Sequence, residues 1–377
     1  MSWEMVNLGD VLYYEQPTNY IVSSDIYSDD FTMPVLTAGK SFLLGYTNET
    51  HGVYSNLPAI IFDDFTTDSK YVDFPFKVKS SAMKILKAKE DAADIRFMFY
   101  LLQTLNVDRE QHKRYWISKF APLQIPLPPL PVQKRIAEIL DAADALKRKD
   151  YELLKKYDQL AQAIFIDMFG DPVKNEKGWE VKKLGDLQVT KSQNGLYVTQ
   201  ENYTKSGGVE MVHMSDAFYG VVKQGSLKRV LISESEIEKY KLTEDSILVA
   251  RRSLNYEGAV KPCLIQANNN SLVYESSLIR IVVDKSKLLP LYLFYFLGNE
   301  RARKQYILKY ITKSTISGIN NDNLNKIEIV VPPLNMQETF KIIIEVLNKL
   351  SELKIISDST SLFNSLIQKA FKGELVQ

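Results

Sequence analysis

Apolar residues from Val132 onward step by four and three: Val132, Ile136, Ile139, Ala143 and Leu146, then, past Asp150, Leu153, Tyr157, Leu160 and Ile164. Such spacing keeps one stripe facing a partner, so it predicts a coiled-coil helix with a polar break at Asp150. Pro131 stands at the predicted first helical position, where a missing N–H costs nothing. Gly170-Asp171-Pro172 supplies the stop. The stepping returns in Met336, Phe340, Ile343, Leu347 and Leu350, then shifts and resumes at Phe363, Ile367 and Ala370, which predicts a stutter or short break near Ser357-Asp358-Ser359. About 35 residues of helix make a rod of about 50 Å. Two such rods in one chain most simply pack antiparallel, either as an ordinary hairpin or as a spacer between domains.

Between these segments the pattern changes. Short β-branched and aromatic runs lie between turn signals, as in Ala59-Ile60-Ile61-Phe62, Ser246-Ile247-Leu248-Val249-Ala250 and Leu278-Ile279-Arg280-Ile281-Val282-Val283. Each region also carries a helical aromatic patch, over 95–102 and 291–297, whose spacing predicts core packing. The chain is moreover written twice. Trp3-Glu4-Met5-Val6-Asn7-Leu8-Gly9-Asp10 returns as Trp179-Glu180-Val181-Lys182-Lys183-Leu184-Gly185-Asp186, and Ile125-Pro126-Leu127-Pro128-Pro129-Leu130 as Ile329-Val330-Val331-Pro332-Pro333-Leu334. Leu160-Ala161-Gln162-Ala163-Ile164-Phe165 returns as Leu366-Ile367-Gln368-Lys369-Ala370-Phe371. The offset widens from 176 to 204 between the first two matches, so the second module is the longer by 28 residues. The order is module, helix, module, helix, and the divergent interiors imply two equivalent sites that recognise different things. The fold class read from this is α+β: two globular modules and two long antiparallel coiled-coil segments in a pseudo-two-fold internal repeat.

Composition changes the picture in three ways. The single cysteine, Cys263, rules out an intramolecular disulfide and fits a reducing compartment. No basic start followed by an apolar stretch opens the chain and no run reaches membrane-spanning length, so a cytoplasmic protein is expected. The net charge of +1 disfavours an indiscriminate nucleic-acid binder, and it is unevenly spread. Residues 1–131 hold 12 Lys/Arg against 16 Asp/Glu, whereas residues 178–332 hold 21 against 16, so a nucleic-acid role for the first module needs local lysines or contacts from other subunits.

No catalytic constellation is evident. Phosphate-loop and dinucleotide glycine motifs are missing, the three histidines His51, His112 and His213 are isolated, and one cysteine cannot build a zinc site. Asp63, Asp64 and Asp68-Ser69-Lys70 have the composition of a metal-dependent nuclease triad but read as solvated turn acids. Polar and basic groups suggest recognition instead. After a clear strand, Arg251, Arg252 and Asn255 stand at a turn; Arg addresses guanine bidentately and Asn addresses adenine. The alternative is a solvent-exposed basic turn. Lys313, Ser317 and Asn320 lie in a stretch rich in short donors suited to phosphates, and Gln193, Asn194 and Tyr197 form a third polar turn. In the first module the corresponding turn is 38–48, with Lys40, Tyr46 and Asn48 as candidates. Lys70, Lys77 and Lys79 lead a lysine cluster. Lys77 and Lys79 share one strand face, which fits either phosphate tracking or protection of a sheet edge.

The doubled Trp-x-x-x-x-Leu-Gly-Asp opening, the Pro-Pro-Leu-x-x-Gln approach to each long helix, and Leu366-Ile367-Gln368-Lys369-Ala370-Phe371-Lys372-Gly373-Glu374-Leu375 resemble the specificity subunits of type I restriction-modification systems. Leu248-Val249-Ala250-Arg251-Arg252-Ser253 and Ser314-Thr315-Ile316-Ser317-Gly318-Ile319 look like stretches of that family's target-recognition domains. The resemblance covers the whole chain. It implies target-recognition domains at 1–131 and 178–332, a central helical spacer at 132–177 and a C-terminal one at 333–377. It also implies that each module reads one half of a split double-stranded DNA target, with the helices setting the spacing. Two methyltransferase and two restriction/translocase subunits would be the partners, supplying S-adenosylmethionine, ATP and magnesium chemistry, with no cofactor and no metal in this chain. Two other readings remain on the residues alone: a coiled-coil scaffold with two protein-binding heads, which the acidic first module favours, and a compact nuclease or methyltransferase, which the missing motifs disfavour.

Overall fold

The computed structural model describes residues 3–39, 41–105, 115–217, 220–222, 224–266, 271–313, 316–353 and 356–376. They form two compact units, Met1–Glu152 with Ile355–Gln377, and Leu153–Lys354. In the first unit the chain enters on β1 (Glu4–Asn7) and runs through β2 (Leu12–Glu15), β3 (Met33–Leu36), β4 (Leu43–Thr47), β5 (Ala59–Asp63), β6 (Ser69–Val72), β7 (Lys77–Val78), β8 (Met83–Ala88) and β9 (Gln124–Leu127). An antiparallel sheet has the order β2-β8-β5-β6, and a smaller one the order β4-β3-β7, with β3 and β7 parallel. β1 and β9 form a separate antiparallel ribbon. Every residue of β5 and β8 is buried, including Lys84 and Lys87 of β8. The helix Ile95–Thr104 starts on Asp94, whose carboxylate accepts from the N–H groups of Arg96 and Phe97.

The second unit repeats this plan with β10 (Glu180–Lys183), β11 (Gln188–Asn194), β12 (Tyr203–Thr204), β13 (Val209–Val212), β14 (Val221–Val222), β15 (Arg229–Val230), β16 (Ser246–Ala250), β17 (Arg252–Ser253), β18 (Pro262–Ile265), β19 (Leu272–Tyr274), β20 (Leu278–Val283), β21 (Ser317–Gly318) and β22 (Glu328–Val331). The main sheet, β11-β20-β16-β18-β14, matches β2-β8-β5-β6 with one strand added, and β15-β13-β19 matches β4-β3-β7, again with the last two strands parallel. β10 and β22 form the second ribbon, and the helix Pro290–Gly298 stands where Ile95–Thr104 does. Both predicted helical patches are therefore core helices. Much of the second module's extra length lies in its connections, notably 213–228 and 251–261.

The echoed motifs are the joints of this plan. Leu8 and Leu184 are fully buried, and a Cβ on Gly9 would lie 3.0 Å from Ala121 Cβ, as one on Gly185 would lie 3.2 Å from Asn325 Cβ. The glycines thus admit the close approach that lets Leu8 N–H donate to Leu123 O and Leu184 N–H to Ile327 O. Gln133 is 0% exposed and Gln337 is 1% exposed. The Gln133 amide accepts from Asp94 N–H at 2.8 Å and donates to Ala92 O and Pro128 O at 3.0 and 2.8 Å. Gln337 likewise accepts from Leu289 N–H and donates to Lys287 O and Pro332 O. Each glutamine fastens the strand-to-helix proline turn to the segment that opens the core helix.

The long helices run Leu130–Phe169, Leu334–Leu353 and Ile356–Phe371. A stutter or short break was expected near 357–359; one helix ends at Leu353 and the next begins at Ile356, and 357–359 are themselves helical. The division into units runs through each segment, between Glu152 and Leu153 and between Lys354 and Ile355. In the second unit Phe340 packs on Phe165 and Phe169 (5.7 and 5.3 Å between ring centroids). In the first, Lys147 Nζ lies 4.0 Å from the Phe363 ring centre, and Phe371 meets Phe97. Both later helices run antiparallel to the first. The buried stripe departs from the predicted seam: Ile136, Ala137, Leu140 and Ala143 are buried, then Ala161, Phe165 and Phe169, while Leu146 and Leu160 are 45% exposed. The physical reason is that these helices pack into sheet-and-helix cores as well as on each other, so the α-helical period of 3.6 replaces 3.5. Trp179 closes the first long helix, its Nε1–H donating to Phe169 O at 3.0 Å, and Trp3 lies against Gly373 after the last.

Replacing Gln337 with Leu leaves Leu289 N–H and two carbonyls unpaired in the core. We expect the fold to weaken by about 1–3 kcal/mol, measured by denaturant titration and followed through Trp179, the only tryptophan of the second unit.

Candidate DNA interface

In the second unit β16 delivers the chain to the surface at Arg251. Arg251 N–H donates to Ser277 O at 2.9 Å, and Arg251 O accepts from Ile319 N–H at 3.0 Å, so the loop is tied to a strand on each side. β17 then pairs with β21, Arg252 opposite Gly318 and Ser253 opposite Ser317. A Cβ at Gly318 would stand 2.9 Å from Arg251 O, so glycine is what allows the two segments to meet. Two polar stretches distant in sequence thus become one ribbon. The third stretch joins through the Leu196–Glu275 bridge, and Gly195, whose Cβ would fall 2.2 Å from Glu275 O, permits it.

The candidates divide sharply on this framework. Tyr197 is 78% exposed and lines a cleft of about 460 Å³ with Arg251, Arg252, Glu275 and Ser277. Arg252 and Asn255 are exposed and share a groove of about 860 Å³ with Leu254 and Ile316. Arg251 is half-buried, one guanidinium N–H donating to Ser276 O at 3.2 Å. Lys313 is exposed, with Nζ 4.7 Å from the Tyr256 ring centre, and the Tyr256 hydroxyl donates to Leu308 O. The other four are framework groups and correct the sequence expectation. Ser317 is buried, Gln193 Oε1 accepts from Arg280 at 2.6 Å, Asn320 caps a short helix by accepting from Asn323 N–H, and Asn194 is half-buried with an enclosed carbonyl oxygen. Asn320 thus satisfies a backbone N–H at a helix start, as Asn does at N-caps, while Gln193 is held by a side-chain guanidinium.

The first unit does not gather its candidates. Lys40 lies outside the described residues. Tyr46 is half-buried on β4, Asn48 is exposed beyond it, and Lys70 is exposed on β6 in the other sheet. Lys70 instead lines a groove of about 930 Å³ with Tyr71, Arg96, Tyr100, Asp141 and Arg148. Lys77 is only 2% exposed: its ammonium donates to His51 O and Gly52 O and pairs with Glu49 at 3.1 Å. Lys79 pairs with Asp25. Of the basic strand face expected there, Lys77 is taken up internally, whereas the Lys79–Asp25 pair stays at the surface. Lys84 and Lys87 are buried too, Lys84 at 3.6 Å from Asp64 and Lys87 donating to Asn56 O and Pro58 O. Burial lowers the Lys87 pKa, with Glu90 opposing the shift.

Strand order also corrects the loop correspondence. The counterpart of Arg251–Gly258 is not 38–48 but the β5–β6 loop, 64–68, because β5 matches β16. Asp64 O accepts from Tyr115 N–H as Arg251 O accepts from Ile319 N–H. Asp63 and Asp64 are buried, not solvated: Asp63 accepts from Phe65 and Thr66 N–H, and Asp64 accepts from Trp116 N–H at 2.8 Å. They are turn-shaping acids, and among the described residues no group of three His, Cys, Asp or Glu side chains is placed to hold a metal ion. Cys263 is buried, and desolvation pushes its thiol up to about 12, which keeps it protonated at neutral pH. No described helix is long and apolar enough to cross a membrane. Sequence reasoning missed the exposed apolar tip at Leu254 and the pair Tyr203–His213, whose hydroxyl and Nε2 lie 2.9 Å apart. The first carried a readable signal, an apolar residue between Ser253 and Asn255 in a polar turn.

A family model described as the type I restriction modification DNA specificity domain matches residues 1–156 and again 176–359. The chain belongs to that family. The two matches coincide with the two modules described above, so this is a type I specificity subunit, a DNA target-recognition protein, built from a duplicated domain. It is 32% identical to the EcoR124I/EcoR124II specificity subunit of Escherichia coli, covering 93% of this chain and 87% of that one. It is 22% identical to the MjaVIII specificity subunit of Methanocaldococcus jannaschii, over 94% of this chain and 88% of the other. In fold it is similar to the type I S subunit from M. genitalium, with a TM-score of 0.56, 14% identity, and 98% and 96% of the two chains covered. The duplicated α+β organisation inferred from the sequence repeats is the organisation of this specificity subunit.

Gly318→Ala should push the β17–β21 ribbon apart at Arg251 O. Limited trypsin digestion is expected to cut faster after Arg251 and Arg252 than in the unaltered protein; unchanged cleavage would show that the loop absorbs the methyl group.

Proposed function

We propose that this specificity subunit reads the two halves of a bipartite, asymmetric double-stranded DNA target, one half per module. The observation that carries the reading is one framework bearing unlike loops at the same place: Arg251-Arg252-Ser253-Leu254-Asn255 in one module, Asp64-Phe65-Thr66-Thr67-Asp68 in the other. Guanidinium and amide groups address guanine and adenine edges in the major groove, whereas the first loop offers an aromatic ring, hydroxyls and a carboxylate. The DNA-facing residues assigned to the second module are Tyr197, Arg251, Arg252, Asn255 and Lys313, and to the first Asn48, Tyr46 and Lys70. The first module's charge is acidic and three of its lysines are buried, so phosphate binding over that half-site falls mainly to partner subunits.

In this reading the chain performs no chemistry. Two methyltransferase subunits bring S-adenosylmethionine, two restriction/translocase subunits bring ATP and magnesium, and the helical segments dock them and set the unread gap between half-sites. Support for docking comes from an apolar stripe on Leu334–Leu353: Ile342, Val346 and Leu350 are exposed at four-residue spacing, opposite the buried Phe340 and Ile344.

A genome-wide map of methylated adenine in cells expressing this chain with its methyltransferase is expected to show a split, asymmetric motif with an unread gap. Arg251→Ala with Arg252→Ala should relax one half of that motif and leave the other, since each bidentate arginine–guanine pair supplies about 1–3 kcal/mol of discrimination. A contiguous motif would leave only one module reading DNA. Unchanged recognition in the double variant would favour a scaffold with protein-binding heads, for which the acidity of the first module argues. Ile342→Asp with Val346→Asp should abolish co-purification with the methyltransferase while the variant keeps its thermal unfolding midpoint.

A further inference from the structure

The tip of the second module's loop is apolar where its flanks are polar. Leu254 is 83% exposed and Ile316 is 51% exposed. Both line the groove that also takes Arg252 and Asn255. The tip is held firmly: Ser253 is paired to Ser317 beneath it, and Ser253 Oγ accepts from Asn255 N–H at 3.2 Å. A leucine presented to water on so fixed a ribbon gains free energy when something apolar covers it. Its neighbours are hydrogen-bond donors suited to base edges, and its module carries excess positive charge, a setting that favours nucleic acid over the charge-depleted centre of a protein interface. The major groove offers one apolar base feature, the 5-methyl group of thymine.

We propose that Leu254, backed by Ile316, is a specificity-determining residue that reads a thymine 5-methyl group in the half-site of the second module, beside the bases addressed by Arg252 and Asn255. The assignment rests on the DNA-reading role proposed above for this loop.

The test uses the subunit in complex with its methyltransferase. Once the methylation map gives the half-site, each of its thymines in turn is replaced by deoxyuridine, which removes only the methyl group. One replacement is expected to weaken binding about four-fold, the worth of burying one methyl group. In Leu254→Ala binding to the natural target should fall by a similar factor and no longer respond to deoxyuridine, whereas Arg252→Ala should keep the response. A deoxyuridine effect of equal size in the unaltered protein and Leu254→Ala, or no responsive thymine, overturns the assignment. So does a 2-aminopurine fluorescence rise that disappears in Leu254→Ala, which would make the side chain a wedge between base steps. Loss of methyltransferase binding by Leu254→Ala without DNA would place the tip at a protein interface and overturn it too. If Arg251→Ala with Arg252→Ala leaves the half-site fully recognised, the DNA-reading role itself fails. If that pair relaxes the half-site and only the Leu254 comparison is flat, the failure is confined to the thymine assignment.

Discussion

Each unit depends on one buried carboxamide. Gln133 and Gln337 sit where three chain segments meet: the outgoing ribbon strand with its proline turn, the start of a long helix, and the loop that opens a core helix. A proline turn has no N–H to offer and leaves its carbonyls in need of donors. The glutamine amide supplies them and uses its own oxygen for the N–H just ahead of the core helix. Because a buried amide with unpaired partners is strongly unfavourable, this network has one arrangement, and the long helix leaves its module at a fixed angle. The tryptophan caps, the leucine–glycine joints and the phenylalanine packing of Phe165, Phe169 and Phe340 build on that angle.

On this rigid base the two modules differ where rigidity is not required. β5 and β16 are the same buried strand, but one leads to Asp64 and the other to Arg251. Asp64 turns inward, to Trp116 N–H and Lys84, and closes its loop to five residues; Arg251 is tethered by backbone and by Ser276 O, and the loop beyond it is longer and projects Arg252, Leu254 and Asn255. The same strand end thus carries a short loop anchored through a buried acid in one module and a longer loop in the other. Two lysines follow the same logic: in the first module Lys77 and Lys87 hold carbonyls of the 51–58 segment inside the unit.

Much of the framework was legible in the sequence, because repeats and apolar periodicity report directly on which positions must be buried. The helix limits at Pro131 and Gly170, the aromatic core helices and the duplicated order all follow from that signal. Periodicity did not reveal which face of a long helix would be covered, since Leu146 and Leu160 fit the coiled-coil stepping but the sheet cores capture Ala137, Leu140 and Ala161 instead. Nor did it separate a lysine that tracks phosphate from one whose stem is buried and whose ammonium finds backbone carbonyls; Lys77 lies buried on β7, whereas Lys79, beyond that strand, is half-buried. At the candidate interface the exposed Arg252, Asn255 and Tyr197 could be picked out by residue type and turn context. Gln193, Ser317 and Asn320 have the same chemistry, and only tertiary structure shows that they are already engaged.

The ribbons β1–β9 and β10–β22 have a consequence for how such a protein can change. Each brings the strand that enters a module alongside the strand that leaves it, hydrogen-bonded over four residue pairs. Whatever the intervening sequence folds into, the helices meet the same two-stranded stub, and closing a longer or shorter loop onto it adds little conformational cost. A reading head is therefore a cassette on a fixed socket, replaceable as a block without re-tuning the helices that carry it.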